Sequence, residues 1–491
     1  MARGSVVALL GGLVGSVVGW LGQLLLARLL GPGGFGSYAI GVAMVSIAAQ
    51  ISTLGLSSAS IYFVARYARD EAAKARDVLM QSVGASLFTG LVVGSMLFLL
   101  SPLAAKHFFH RPDLAPMLRM FALSVGFVAS FRVARAATTV SYKLSYRVYL
   151  DLISTGSFLL IFVALYLLGG RLGGASVAYL VSTVLGCGAS VYFLIRLFPG
   201  LFAASSRPSL MLREIFAYSM PAFGASLLWA PQGWMNRLLL GYFRPPAEVG
   251  LYQAAAQSVS PLYVGTFAVG SIAAPMIASL YNRGEHARLE EAFRVSSKWI
   301  LYSTLIVFTA IAAGPRDLLK MFFGAKYLNG TTPLMILSIG ALIDNADGTA
   351  RSMLLLTGNQ KMLLRIAAMS LILQFGLDLY LIPRYGIAGA AVAEVAASIL
   401  LSASMLVAVK RVLGMSPYDR RYLKGLLAWG VTGAGLYLIR PPGMLAIRLA
   451  LRALIACLVF AAVILALGLD SEDRQVALAA FRRSLRQYRG E

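Results

Sequence analysis

The feature that most constrains this chain is a succession of apolar segments, each roughly 20 residues long, that runs through almost the whole sequence. Segments of this length cross the hydrocarbon core of a bilayer as α-helices. Because backbone N–H and C=O groups find no water in lipid, a spanning segment must be a helix or part of a closed β-barrel. Barrel strands are shorter and alternate in polarity, whereas these segments are uniformly apolar. The sequence therefore predicts an all-α, polytopic membrane protein.

Composition excludes two other classes of protein. Of 491 residues, 59% are hydrophobic and 13% are charged, which leaves too little polar surface for a soluble domain. The formal net charge of +23 raises the question of nucleic-acid binding. The cations are dispersed along short loops instead of being gathered on one domain, so we expect no nucleic-acid partner. A basic excess of this kind fits loops that face anionic lipid.

The apolar runs predict about fourteen transmembrane helices. The first six lie near residues 5–30, 38–65, 78–105, 115–140, 147–168 and 174–198. The next six lie near 214–242, 249–281, 297–314, 331–357, 361–382 and 386–413. A final pair lies near 421–440 and 446–468.

The distribution of cations predicts the orientation of these helices. An even number of spans places both termini on one side of the membrane. That side holds 26 of the 43 lysines and arginines and the other side holds 14, with three arginines inside spans. Cytoplasmic loops carry the excess of Lys and Arg, so the termini are predicted to be cytoplasmic.

An internal repeat organises the chain. LLGPGGFGSYAIG after the first span is similar to YFRPPAEVGLYQAA after the seventh. At an offset of 214, Pro32 matches Pro246, Gly36 matches Gly250 and Tyr38 matches Tyr252. Six spans separate the copies, so the two halves share one orientation and are expected to be related by an axis along the membrane normal. The alternative is that both turns simply favour Pro and Gly.

The repeat divides the chain into an N-lobe with helices 1–6 and a C-lobe with helices 7–12. The predicted bounds are 1–205 and 206–415, followed by helices 13 and 14 in 416–469 and a basic cytoplasmic tail in 470–491. Two like-oriented lobes predict a cavity that opens alternately to each side. No catalytic function is expected. The three histidines, His107, His110 and His286, lie in predicted loops and lack metal-ligand spacing. The chain also has no Walker-type phosphate-binding loop.

Several motifs resemble one family of transporters. They are LLARLLGPGGFGSYAIG, LGLSSASIYFVARY, MNRLLLGYFRPPAEVGLYQAAA, FFGAKYLNGTTPLMILSIGAL with LLLTGNQKMLL, and LYLIPRYGIAGAAVAEVAAS. Their order and content resemble oligosaccharide flippases of the Wzx type, the polysaccharide-transport branch of the multidrug/oligosaccharidyl-lipid/polysaccharide exporter superfamily. The resemblance extends from residue 25 to about residue 400.

This resemblance implies a fold of two six-helix lobes and the translocation of undecaprenyl-pyrophosphate-linked oligosaccharide across the bacterial inner membrane. It further implies membrane lipids, a polymerase and other glycan-assembly proteins as partners, and no cofactor beyond coupling to H⁺ or Na⁺. The chain departs from the family at Asn236–Arg237, where many relatives carry Asp, and at Glu394, where a small or hydroxyl residue is usual. Helices 13 and 14 resemble the extra pair of lipid II flippases.

Such a flippase needs cationic walls for the pyrophosphate, and the planar Arg fork binds phosphate bidentately. Arg132 and Arg135 share one face of the fourth helix, where they either line the cavity or extend to the inner interface. The remaining candidates for substrate binding lie at Arg28, Asn236, Arg237 and Arg351. For Arg28 a helix-end contact, and for the Asn236–Arg237 stripe helix–helix hydrogen bonding, are the alternatives.

Four acids inside predicted spans are candidates for ion coupling: Asp344, Asp347, Asp378 and Glu394. Ionisable residues in a membrane are costly and therefore suggest function. Asp347 and Arg351 are spaced to neutralise one another, so a structural ion pair is the alternative there. No metal site is predicted.

Two other kinds of function remain open besides an oligosaccharide flippase: another transporter of the same fold, or a membrane enzyme. One is a lipid II flippase or a cation-coupled multidrug antiporter of the same fold, and the antiporter predicts a mainly acidic cavity. The other is a membrane-embedded glycosyltransferase or ligase, which needs a large outer loop with acidic residues that this sequence lacks.

Overall fold

The computed structural model describes residues 2–67, 71–138, 145–197, 210–438 and 444–468. Within these ranges the chain is helical and has no strand, which confirms the predicted all-α class. The predicted tail 470–491 lies outside the described residues. The first seven helices are α1 (Ala2–Ser52), α2 (Leu56–Tyr67), α3 (Ala72–Leu103), α4 (Ala115–Thr138), α5 (Ser145–Leu167), α6 (Arg171–Leu197) and α7 (Leu212–Gln232).

The later helices include several short ones. In chain order they are α8 (Met235–Phe243), α9 (Pro246–Val259), α10 (Val264–Asn282), α11 (His286–Ala312), α12 (Pro315–Phe322), α13 (Thr331–Ala346), α14 (Ala350–Leu356), α15 (Gln360–Leu413), α16 (Arg420–Leu438) and α17 (Leu445–Ala466). Across the described residues, nine helices are long and apolar enough to cross a membrane. The protein is therefore a multi-pass membrane protein.

The number of helices differs from the number of predicted membrane crossings, because some helices contain two predicted spans. Helix α15 has 54 residues and would be about 80 Å long if straight, far more than the roughly 30 Å hydrocarbon core. It is interrupted at Gly386, where φ is 56° and ψ is −132°. A Cβ at Gly389 would overlap the carbonyl oxygen of Leu381, so the chain folds back on itself there. The predicted spans 361–382 and 386–413 are the two arms of this hairpin.

Other predicted spans are broken into two helices. Non-helical residues separate α1 from α2 within span 38–65, and α7 from α8 within span 214–242. A 3₁₀ turn at Ser260–Tyr263 separates α9 from α10, and residues 347–349 separate α13 from α14. Non-helical backbone at membrane depth is tolerated where protein covers it or where it lines a cavity. These breaks therefore mark places to search for polar sites.

The chain forms two compact units by contact. The first comprises Met1–Ala254 and Leu371–Ala393, and the second comprises Ala255–Ser370 and Glu394–Glu491. The span in α1 and helix α4 are mostly buried in the first unit, and α11 is mostly buried in the second. The repeat divides the sequence at residue 205, whereas contacts group residues 206–254 and 371–393 with the first six spans.

The two copies of the repeat meet inside the first unit. A Cβ added to Gly36 would overlap the carbonyl oxygen of Pro246, and a Cβ added to Gly250 would overlap that of Pro32. Each glycine thus packs against the proline that precedes its counterpart. Reciprocal contact between equivalent residues is the signature of a two-fold axis, which supports the repeat predicted from the two turns.

Candidate functional site

The first unit contains a cavity of about 310 Å³ among α1, α4, α5 and α6. This volume is at the lower end of the range for ligand-binding pockets. Its walls combine two guanidinium groups with hydroxyl, amide and aromatic side chains. Prominent lining residues are Gln23, Tyr38, Arg132, Arg135, Thr155 and Tyr179.

The two predicted arginines of α4 lie together in this cavity. Arg135 Nη2 pairs with Asp151 Oδ2 of α5 at 2.8 Å, and both side chains are one-third exposed (33%). Arg132 Nη1 donates to the carbonyl oxygen of Ser46 at 3.3 Å and to Gln50 Oε1 at 3.2 Å. Both acceptors of Arg132 are neutral. One carboxylate thus faces two guanidinium groups, so this pair of arginines leaves the cavity with a net positive charge.

Aromatic rings form one wall of the cavity. The Tyr38 ring of α1 lies 5.9 Å from Phe158 and 6.2 Å from Tyr179, in edge-on or tilted geometry. Phe121, which is fully buried, supports Tyr38 at 5.6 Å and Tyr179 at 5.0 Å between ring centroids. Tyrosine rings offer both an apolar face and a hydroxyl group. The cavity therefore combines features suited to an anion with features suited to a polar ring.

A second polar cluster of the first unit contains Asn236, which the sequence indicated. Asn236 Nδ2 donates to the Tyr252 hydroxyl at 2.7 Å, and Gln374 Nε2 donates to Asn236 Oδ1 at 2.9 Å. Arg237 Nε donates to Gln253 Oε1 at 2.9 Å. The buried Asp378 lies one turn after Gln374. The polar stripe on α8 is thus hydrogen-bonded to α9 and to the first arm of α15.

The Arg237 guanidinium is also placed over aromatic rings. Its central carbon lies 5.5 Å from the ring centroids of both Trp234 and Tyr252. Tyr252 matches Tyr38 in the repeat, so each tyrosine of the pair lies near an arginine: Tyr38 shares the cavity with Arg132, and Tyr252 faces Arg237. Arg28 has an exposed side chain near the end of the first span, away from the residues that line the cavity.

The second unit gathers three of the predicted coupling acids at the break between α13 and α14. Asp344 Oδ1 accepts from Ser402 Oγ at 3.4 Å, and the Asp344 carboxyl group acts electrostatically on the hydroxyl of Tyr263. Asp347 is buried, and Arg351 acts electrostatically on both aspartates. Glu394 acts electrostatically on the same Tyr263. Three acids therefore share this neighbourhood with one arginine.

A loop tyrosine lies next to this acidic cluster, beside Asp347. Tyr418, between α15 and α16, donates to the carbonyl oxygen of Ala346 at 3.4 Å. Burial, and then the nearby charge of Asp347, raise the pKa of the Tyr418 hydroxyl above its ordinary value. The hydroxyl thus remains protonated and available as a hydrogen-bond donor beside Asp347.

Sequence reasoning missed several partners of the predicted residues. Asp151 is the one acid in the predicted fifth span, and that alone could have identified it. Gln50, Tyr179 and Ser402 gave no such signal, because single polar residues are common in transmembrane helices and only packing decides what they face. Asp378 and Glu394, both on α15, belong to different units by contact.

A family described as polysaccharide biosynthesis protein matches residues 1–281. A probable low-salt glycan biosynthesis flippase, Agl15 of Haloferax volcanii, is 23% identical over 181 residues, which is 37% of this chain and 38% of that protein. The chain thus spans under two fifths of the length of the curated relatives it matches.

Solved structures establish the fold. The lipid II flippase MurJ in an inward closed conformation superposes with a TM-score of 0.79 at 15% identity, over 93% of this chain and 98% of that one. An inward-facing multidrug resistance transporter of the MATE family gives 0.64 at 14% identity, over 81% and 94%. The chain therefore has the fold that these two proteins share. Because the family match covers more than half of the sequence, the chain belongs to the polysaccharide biosynthesis protein family.

Proposed function

We propose that this protein is a flippase that moves undecaprenyl-pyrophosphate-linked oligosaccharide across the bacterial inner membrane by alternating access, with both termini in the cytoplasm. The observation that most supports this proposal is the cavity lined by Arg132 and Arg135 within a member of a polysaccharide biosynthesis family. A pyrophosphate is anionic and its sugars cannot cross hydrocarbon unaided. The head group requires a polar, cationic site while the polyprenyl tail remains in lipid.

The chemistry of the cavity suits this head group. The hydrogen bonds of Arg132 go to neutral oxygens of Ser46 and Gln50, so a phosphate oxygen is a better acceptor for its guanidinium. Arg135 is held by Asp151, which orients its fork toward α5. Rings of Tyr38 and Tyr179 offer faces for a sugar and hydroxyls for its oxygens. We propose that Arg28, Asn236, Arg237 and Arg351 also contribute to substrate binding.

The acidic cluster of the second unit supports coupling to H⁺ or Na⁺. Asp344, Asp347 and Glu394 lie near a single arginine, and buried acids of this kind change their charge when an ion or proton binds. Asp378 is a fourth candidate. Membrane lipids and a glycan polymerase with other assembly proteins are the proposed partners.

Export rescue in a strain that lacks its own flippase tests this function. Wild-type protein is expected to restore surface glycan, while Arg132→Ala and Arg135→Ala reduce export about tenfold or more, since each removes a charged hydrogen bond worth about 1.5–3 kcal/mol. Glu394→Gln is expected to impair export through coupling. Arg119→Ala is the matched control, because Arg119 lies on the same helix with an exposed side chain.

Two results would count against the proposal. Failure of the wild-type protein to restore export would reject the flippase function. Normal export by all three variants would reject the site while leaving the family intact. A multidrug antiporter of the same fold is the second candidate, favoured by the cluster in which Asp344, Asp347 and Glu394 outnumber Arg351. It predicts resistance to cationic compounds in the same strain without restored glycan.

A further inference from the structure

A second open cavity of the first unit lies where α2 meets α7, apart from the arginine cavity. Its volume is about 720 Å³. The lining residues are Ser58, Ile61, Tyr62, Ala65, Arg66 and Tyr218. Of these described residues, one is a cation and none is an acid. Neither the proposed head-group cavity nor the coupling cluster includes any of them.

Two tyrosines form a stack at the centre of this surface. The rings of Tyr62 and Tyr218 lie 4.4 Å apart between centroids at an interplanar angle of 15°. Their side chains are nevertheless 42% and 41% exposed. Phe63 is buried and contacts both rings edge-on, at 5.1 Å from Tyr62 and 5.5 Å from Tyr218. The stack is therefore a pre-arranged surface with a rigid support, and we call Tyr62, Tyr218 and Arg66 the tyrosine platform.

The support continues into the packed core. Phe63 belongs to a cluster of buried side chains that includes Leu56 of α2 and Ile215 of α7. Ile215 precedes Tyr218 by one turn, and Phe63 adjoins Tyr62. Both rings are attached to helices that are fixed in this core. A ligand that stacks on them therefore causes little loss of side-chain entropy on binding.

The exposed face of α2 is not composed like a face that contacts lipid. The outward face of α3 shows what such a face contains: Phe88, Met96 and Leu99 are 68%, 62% and 74% exposed. On α2 the exposed residues are Ser58, Ile61, Tyr62, Ala65 and Arg66. Three of them, Ser58, Tyr62 and Arg66, form a polar stripe with one turn between neighbours. Hydroxyl groups and a guanidinium in such a stripe are suited to water or a polar ligand.

The position of the platform in the chain places it near the side of substrate entry. Arg66 lies in the last turn of α2 and is the first residue of the charged segment 66–77. The distribution of lysines and arginines predicts that this segment is cytoplasmic. A lipid-linked glycan that is moved outward, as proposed above, is loaded from that side.

We propose that the tyrosine platform binds the sugar rings of the lipid-linked glycan during loading, with Arg66 near its phosphate groups; this inference rests on the proposed function. Sugar rings present C–H faces that pack on aromatic rings, while their hydroxyl groups bond the tyrosine oxygens. Arg66 lies one turn beyond Tyr62, so a phosphate and the sugar attached to it can contact both at once. The platform thus distinguishes a glycosylated lipid from a bare lipid pyrophosphate.

Binding of two lipids to the purified protein in nanodiscs tests the platform. The probes are undecaprenyl-pyrophosphate-linked oligosaccharide and undecaprenyl pyrophosphate without sugar, each radiolabelled. The double variant Tyr62→Ala/Tyr218→Ala is expected to bind the glycan-linked lipid about tenfold more weakly, equivalent to about 1.4 kcal/mol. Its affinity for the sugar-free lipid is expected to be unchanged, which also shows that it is folded. Arg66→Ala is expected to weaken binding of both lipids.

Two further variants separate stacking from a structural effect. Tyr62→Phe/Tyr218→Phe keeps the stack and is expected to retain most of the preference for the glycan-linked lipid. Tyr192→Ala is the matched control, because Tyr192 is also exposed (52%) and has an arginine one turn later, Arg196, 5.4 Å from its ring. It is expected to bind both lipids as the wild type does.

The outcomes distinguish the platform from the proposed function. If the wild type prefers the glycan-linked lipid and the double alanine variant keeps that preference, the platform is wrong and the function stands. Equal weakening of both lipids by the double variant also overturns the platform. If the wild type binds neither lipid, the proposed function fails and the platform fails with it.

Discussion

Gly36→Ala tests the reciprocal contact between the two copies of the repeat. The added methyl group would overlap the carbonyl oxygen of Pro246, and Gly250→Ala would bring the same overlap with Pro32. Backbone atoms cannot rotate away, so the two turns have to separate. Overpacking of this kind lowers stability by about 1–3 kcal/mol. Each variant should lie near the upper end of this range, because its new methyl group meets backbone, which cannot make room by a rotamer change. We therefore expect each to lower the free energy of unfolding by about 3 kcal/mol.

The double variant Gly36→Ala/Gly250→Ala sharpens this prediction. Once the turns have separated for one methyl group, the second finds space already made. The double loss should therefore fall short of the sum by about 1–3 kcal/mol, as expected for residues that share one contact. Gly33→Ala is the control, because a Cβ there meets no heavy atom within 4 Å. It should be neutral or stabilising, since alanine is the better helix former.

Unfolding of the purified protein in mixed micelles with increasing SDS, followed by circular dichroism, measures these differences. Losses at Gly36 and Gly250 that match the Gly33 control would show that the turns do not touch in the membrane protein. Strictly additive losses would show that the two glycines pack against separate partners. Either result would remove the structural support for the two-fold repeat.

Three further predictions concern the polar clusters. Arg135→Asp and Asp151→Arg should each abolish glycan export, while the double exchange restores part of it; no rescue would show that their 2.8 Å contact is not what matters. Asn236→Leu should destabilise the protein by about 1–3 kcal/mol in SDS unfolding, because it removes the amide that donates to Tyr252 and accepts from Gln374; unchanged stability would refute this. Asp347→Asn should make flipping in proteoliposomes insensitive to an imposed H⁺ or Na⁺ gradient, and retained gradient dependence would exclude this aspartate from coupling.

The sequence alone was sufficient for the helical class and for the repeat. Uniformly apolar segments leave the backbone no alternative to helices in lipid, and the Pro/Gly turns at residues 32–36 and 246–250 carry the repeat in their spacing. The predicted bounds of the spans agree less well with the helix bounds in the structure. The break at 53–55 lies within an apolar run, so hydropathy does not indicate it. The break at 347–349 falls at Asp347 and Gly348, a polar, turn-favouring pair that the predicted span 331–357 includes.

Part of the candidate site could also be predicted. Arg132 and Arg135 stand out because a cation in an apolar helix is costly and needs a reason. The sequence left open whether they extend to the interface or line a cavity, and the structure places both on a cavity wall. It did not identify Gln50 as a partner of Arg132, since the two residues are 82 positions apart.

The sequence by itself determined that the chain is a membrane-spanning helical protein with a repeated Pro/Gly turn, because hydrophobicity and turn residues act locally along the chain. Only the tertiary structure decided which polar groups meet. Asn236 and Gln374 lie 138 positions apart yet share a hydrogen bond, and Tyr62 stacks on Tyr218 of a different helix. Such pairings depend on the angle and rotation at which helices pack. Those are set by the fit of many side chains at once.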